Sequence, residues 1–184
     1  RFIKGSLNFM KIRNREVSFL LIAKAFKVAR IKLAFIFPTL WAKCILKLFG
    51  CSYGKNLQVC GKLYIRINKK GTIKLGNHVK IISRFLSNSV GITNPLMLEC
   101  IENGRIEVGN YSGFTSAILS SRTLIKIGEN VNIGGNVRIF DHDFHSLDYR
   151  HRRKGGGDFK HVQTAEVVID DDVFIGTNAI ILKG

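Results

Sequence analysis

The sequence is short of proline (two), tryptophan (one) and acidic side chains (13 against 29 Lys and Arg). The acid shortage leaves a net charge of +16, which speaks of anionic partners and not of a fold. Cys44, Cys51, Cys60 and Cys100 form no C-x2-C pair and no zinc-knuckle spacing. That excludes a recognisable zinc module and predicts a reduced, cytoplasmic chain. The longest stretch free of charge in the N-terminal segment, residues 33–42, is ten residues, and the longest in the whole chain, 85–98 and 108–121, are fourteen each. A bilayer span needs ~20, so a transmembrane helix is excluded. No initiator Met and no cleavable signal pattern open the chain. The last residues, 180–184, stop inside a repeating pattern, so the chain reads as a piece of a longer protein at both ends.

The charge is uneven. Residues 1–55 carry twelve Lys and Arg against Glu16 alone, a net +11. Residues 1–54 therefore read as a basic helical segment, and 55–184 as the main domain. Residues 1–16 are expected to be a disordered start. Residues 17–37 read as a helix, with Lys24, Lys27 and Arg30 at three-residue steps that keep them near one face. Pro38 is expected to interrupt it, and a second short helix over 40–49 to end at Gly50. The favoured role is a cap over the end of the main domain. Residues 17–49 are also a candidate peripheral membrane contact at the inner membrane face.

From Lys55 onward helical periodicity gives way to β-branched runs separated by Gly-Asn and Asp-Asp turn signals. A six-residue period emerges: IGENVN at 127–132, IGGNVR at 133–138, then Ile139. It resumes with IDDDVF at 169–174, IGTNAI at 175–180 and Ile181. Weaker copies start at Leu75 and Val108. Six residues make one strand and a turn, and three such faces close a triangular coil. The opening aliphatics then stack inward on those of neighbouring coils, with Gly and Asn at the corners. This predicts a mainly β, parallel β-helix. Antiparallel hairpins would not hold a strict phase of six over two separate blocks.

The repeat breaks over residues 140–168, an insertion with four of the five histidines and a Gly155–Gly157 bend. Such an insertion maps to a loop on one face, often the binding face. A neutral imidazole there can take a proton from a hydroxyl at neutral pH. His142 and His145 are the candidates. Asp141, Asp143 and Asp148 are candidate carboxylates to hold the base, with Asp141 preferred.

The hexapeptides at 127–138, the run His145-Ser146-Leu147-Asp148 and the resumption at 168–184 resemble the left-handed β-helix O-acetyltransferases. That family includes maltose, galactoside and nodulation-factor acetyltransferases and enzymes that modify surface polysaccharides. The resemblance covers roughly residues 55–184. It implies the left hand of the coil, a homotrimer, acetyl-CoA as cosubstrate with no metal, and a sugar or polysaccharide hydroxyl as acceptor. It implies His145 as general base. Phe174, at a position often held by Trp, would lie with Gly176 and Thr177 along the CoA arm, and further CoA contacts would come from coils beyond Gly184. The Asn of the sugar-acetylating subgroup is missing from 111–116, so Thr115 or Ser116 is expected to contact the acceptor in its place, with Asp148 and His142. Two alternatives were weighed: a γ-class carbonic anhydrase-like metalloenzyme using His142, His145 and His151, disfavoured by the His-x2-His spacing, and a non-catalytic basic solenoid. Nucleic acid is not expected, because cations and aromatics do not interleave.

Overall fold

The period of six is realised as fifteen short strands dealt in rotation onto three sheets. The computed structural model describes residues 2–68, 70–85, 90–153 and 157–184, with side chains from Phe19 onward. The first sheet holds β1 (Ser52–Tyr53), β4 (Thr72–Leu75), β7 (Arg105–Val108), β10 (Leu124–Ile127) and β13 (Val167–Ile169). The second holds β2 (Gln58–Gly61), β5 (Lys80–Ser83), β8 (Gly113–Thr115), β11 (Asn132–Ile133) and β14 (Phe174–Ile175). The third holds β3 (Leu63–Ile67), β6 (Leu96–Cys100), β9 (Ile118–Ser121), β12 (Arg138–Phe140) and β15 (Ile180–Ile181). Every pairing between these strands is parallel, and each strand's partners lie three strands away in the chain. The sheets are stacked and compatible with a parallel β-helix.

Register explains why the inward positions are aliphatic. In the first sheet Ile73, Ile106, Ile125 and Val167 stand directly over one another. In the second, Val59, Ile81, Phe114, Ile133 and Ile175 do the same. These side chains are buried, and together they form one continuous core. Each inward residue is covered from above and below, so burial is shared between coils.

The corners follow a finer rule than the sequence suggested. The left-handed residue is the fourth of the hexad, not the second: Asn130, Asn136 and Asn178 have φ of 56°, 59° and 64°. Asn adopts this region more readily than most residues. The second-position glycines are needed for closeness between coils. A Cβ on Gly128 would sit 2.7 Å from the Asp170 carbonyl carbon. The third position ties coils together. Side-chain oxygens of Asn77, Asn110 and Asp171 accept backbone N–H bonds from Lys55, Asn77 and Glu129 at 2.7–2.8 Å. Another close approach is at Gly104, where a Cβ would meet the Ser121 carbonyl oxygen at 2.0 Å. Gly104→Ala is therefore expected to cost about 1–3 kcal/mol, read as a lowered denaturation midpoint.

The N-terminal segment is one helix, α1 (Phe2–Leu48), 47 residues long. Two expectations are corrected: residues 2–16 are helical, and the helix runs through Pro38. Proline removes one i→i−4 hydrogen bond, and the flanking turns carry the helix past it. The helix does end where expected. Gly50 has φ of 68°, and the Cys51 and Gly50 N–H groups donate to the Leu46 and Lys47 carbonyls. This is a Schellman closure, for which glycine is suited. The cap role holds for the last turns: Ala42 and Leu46 are buried in the core. The Thr39 hydroxyl accepts the Val59 N–H at 2.8 Å and donates to the Val59 carbonyl at 3.2 Å, closing the edge of β2. Among the described residues no helix is long and apolar enough to cross a membrane.

Candidate functional site

The excursion leaves the third sheet after Phe140 and re-enters the first at Val167. Its strand-free part is therefore 141–166, slightly shorter than the 140–168 expected. It carries α2 (Tyr149–Arg152) and a 3-10 turn (Asp158–His161). One coil earlier, the same corner is made tightly by Ser121, Arg122 and Thr123 between β9 and β10. That tight corner presents donors toward the excursion, and Asp141 accepts them.

Asp141 is fully buried. One carboxylate oxygen accepts the Arg122 N–H at 2.7 Å and faces His142 Nδ1 at 3.0 Å. The other accepts the Ser121 hydroxyl at 2.7 Å and the Thr123 N–H at 2.8 Å. Burial by itself would push this carboxyl up. The bonds from His142, Ser121 and the two backbone N–H groups outweigh it and hold the carboxyl below its usual range. In the neutral ring, the proton on His142 Nδ1 faces the ionised Asp141 and the lone pair is on Nε2.

His142 is buried, and its Nε2 has no hydrogen-bond partner among the described residues. The other such buried atom is Oδ2 of the next residue, Asp143. Its Oδ1 accepts from Lys183 Nζ at 2.9 Å, tying the excursion to the end of the last coil. Buried polar atoms normally find partners, and a catalytic role is one of the explanations for an exception. The Phe144 ring lies 4.7 Å from the His142 ring and packs edge-on against Phe140.

The expected pairing of Asp141 with His145 is corrected. His145 Nδ1 faces Asp158 at 3.0 Å, and its side chain is 68% exposed. The bond with His145, aided by the Ser146 N–H and opposed by burial, holds the Asp158 carboxyl below its usual range. Thirteen residues separate this pair. It forms because the excursion's two described arms run back to back, with His142 bridging antiparallel to Thr164, while residues 154–156 lie outside the described residues. Local spacing carries no signal for such a return. The bend expected at Gly155–Gly157 falls mostly there too.

The expectation for Ser116 as an acceptor contact is also corrected, and Asp148 is engaged within the excursion. Ser116 is fully buried at a corner with φ of 49°, its N–H donating to the Ile82 carbonyl, so its hydroxyl faces no groove. Asp148 is engaged as the N-cap of α2, accepting from the Arg150 N–H at 2.9 Å and pairing with the Arg150 guanidinium at 2.7 Å. That pairing lowers its carboxyl to about 2. The three histidines weighed as a zinc set are engaged separately: His142 with Asp141, His145 with Asp158, and His151 stacked on His161 at 3.5 Å.

Phe174, Gly176 and Thr177 lie on the last coil, all exposed. Phe174 is 75% exposed on β14, the edge of its sheet, and a Cβ on Gly176 would meet nothing within 4 Å. On the other side of the excursion is a groove of about 790 Å³ lined by Arg105, Arg122, Thr123, Phe159, Lys160 and Thr164. Arg122 and Thr123 are the residues on which Asp141 rests, and Phe159 lies 6.4 Å from the His145 ring.

All four cysteines are free. Burial, above all, raises the thiols of Cys51 and Cys100, the latter to about 12, so neither is a thiolate nucleophile at neutral pH. No family model, no curated protein and no solved structure matches the chain.

Proposed function

We propose that the protein is an O-acetyltransferase that moves an acetyl group from acetyl-CoA to a sugar hydroxyl, with His142 as general base. The observation that carries this reading is the buried Asp141–His142 pair with its unpartnered Nε2, set on the excursion that breaks the coil repeat.

The residues suit the chemistry. Asp141, ionised and held by four neighbouring donors, fixes the His142 tautomer and orientation. His142 Nε2 takes the hydroxyl proton as the acceptor oxygen attacks the thioester carbonyl. The tetrahedral intermediate then collapses, the C–S bond breaks, and the leaving thiolate receives the proton from the imidazolium. Proton transfer of this kind supplies ~10²–10⁴-fold. The Phe144 ring packs beside the base, 4.7 Å from the His142 ring. This places the base three residues before the one expected from the sequence. His145, exposed beside the groove at Phe159, takes the role of acceptor contact instead.

The groove, lined by cations, the carboxylates of Glu102 and Glu166, hydroxyls and one aromatic ring, suits a hydroxyl-rich ligand such as a surface polysaccharide or its precursor. Phe174, Gly176 and Thr177, open on the last coil, are assigned to the CoA arm. A left-handed coil and a homotrimer belong to the same reading, taken from the resemblance of the repeats and the excursion.

The test is a donor and acceptor screen that follows free thiol release. Acetyl-CoA consumed only when a sugar acceptor is present supports the reading. No turnover with any acyl-CoA across a broad panel of hydroxyl acceptors sinks it.

A further inference from the structure

The last turns of α1 pack against the coil stack through Ala42 and Leu46, but residues 19–33 are exposed. Phe19, Ile22, Phe26, Leu33, Phe37 and Leu40 recur at steps of three, four and seven, which sets them along one face. All six are at least half exposed, with Phe19 at 73%, Phe26 at 74% and Phe37 at 70%. The stripe is ~30 Å long. It continues into an apolar groove of about 690 Å³ walled by Phe37, Trp41 and Phe49 on the helix side and Leu63 and Ile65 on β3. Exposed apolar patches of this size mark interaction surfaces.

Charge decides what covers it. Lys24, Lys27, Arg30 and Lys32 are exposed on the same turns, and Glu16 is the one acid within residues 1–55. A second copy of the helix would bring like charge against like with almost nothing to pair it. Nucleic acid would neutralise the cations but leave the phenylalanines in water. An anionic lipid surface satisfies both: the apolar stripe enters the acyl boundary, the cations reach the headgroups, and Trp41, 65% exposed, sits at interface depth.

We infer that residues 19–41 of α1 form a docking surface for an anionic membrane, lying in its interface and not crossing it. The inference stands apart from the transferase reading and is tested without any activity measurement.

The experiment is flotation of the full chain with vesicles of mixed phosphatidylcholine and phosphatidylglycerol, against pure phosphatidylcholine. The expected result is co-flotation with the anionic vesicles that falls as salt rises, with a blue shift of the single tryptophan. The variant K24Q/K27Q/R30Q is expected to weaken binding on the order of 10²-fold. F19S/F26S/F37S is expected to abolish it while the sedimentation mass and the melting transition stay at the parental values. Three outcomes overturn the inference. The chain fails to float with anionic vesicles. The serine variant floats like the parent. Or the serine variant changes the sedimentation mass, which would show that a second copy covers the stripe.

Discussion

Replacing His142 with alanine is expected to lower kcat for acetyl transfer by ~10²–10⁴-fold while leaving KM for acetyl-CoA within about threefold. The expectation rests on the position of Nε2, which is buried, aimed by Asp141 and unpartnered. His145→Ala is the contrast. Its ring is 68% exposed and stands beside the groove, so its loss is expected to raise KM for the acceptor roughly tenfold with a smaller change in kcat. Steady-state kinetics on both variants separates the two assignments. A large kcat loss in His145→Ala with near-parental kcat in His142→Ala would return the base role to His145.

The second large effect concerns stability. Asp141→Ala removes the acceptor for the N–H groups of Arg122 and Thr123, for the Ser121 hydroxyl and for His142. The carboxylate is at zero exposure, so water does not replace it. Breaking such a buried network costs about 3–5 kcal/mol, visible as a lowered midpoint in urea. The acid limb should change too. Because the folded carboxyl lies below its usual range, its contribution is complete above the unfolded value of ~3.9 and is lost as pH falls through the folded value. The parent should therefore lose stability steeply below about pH 4, and Asp141→Ala should show a shallower slope there. Equal slopes for the two proteins would mean that Asp141 is not held ionised by its neighbours.

The two predictions depend on features of different legibility. That the excursion carries the chemistry is visible in the chain, because the phase of six breaks where four of five histidines gather. Which carboxylate serves which histidine is not. Asp141 is adjacent to His142, yet adjacent residues more often point apart than together. Here the donors of the Ser121–Thr123 corner, some twenty residues earlier, turn the carboxylate so that one oxygen also faces the ring. Asp158 reaches His145 only because the excursion doubles back. Ser116 looked like an available hydroxyl, and a left-handed corner conformation buries it. Phe144 carried no sequence signal for its position against His142.

The helix teaches a related lesson. Pro38 has a local cost of one hydrogen bond, and a helix of 47 residues docked on the coil stack by Ala42 and Leu46 absorbs it. Gly50, by contrast, ends the helix as read, because the left-handed Schellman residue is a purely local requirement.

Taken alone, the residue order determined the repeat of six, the inward aliphatic columns, the turn chemistry and the site of the interruption, since each is set by steric and burial preferences acting within a few positions. Tertiary structure alone decided which oxygen meets which imidazole, which hydroxyl is sealed in a corner and how much of α1 stays bare. Those outcomes depend on stacking one coil against the next, and a donor lent by a neighbouring coil leaves no mark in the local sequence.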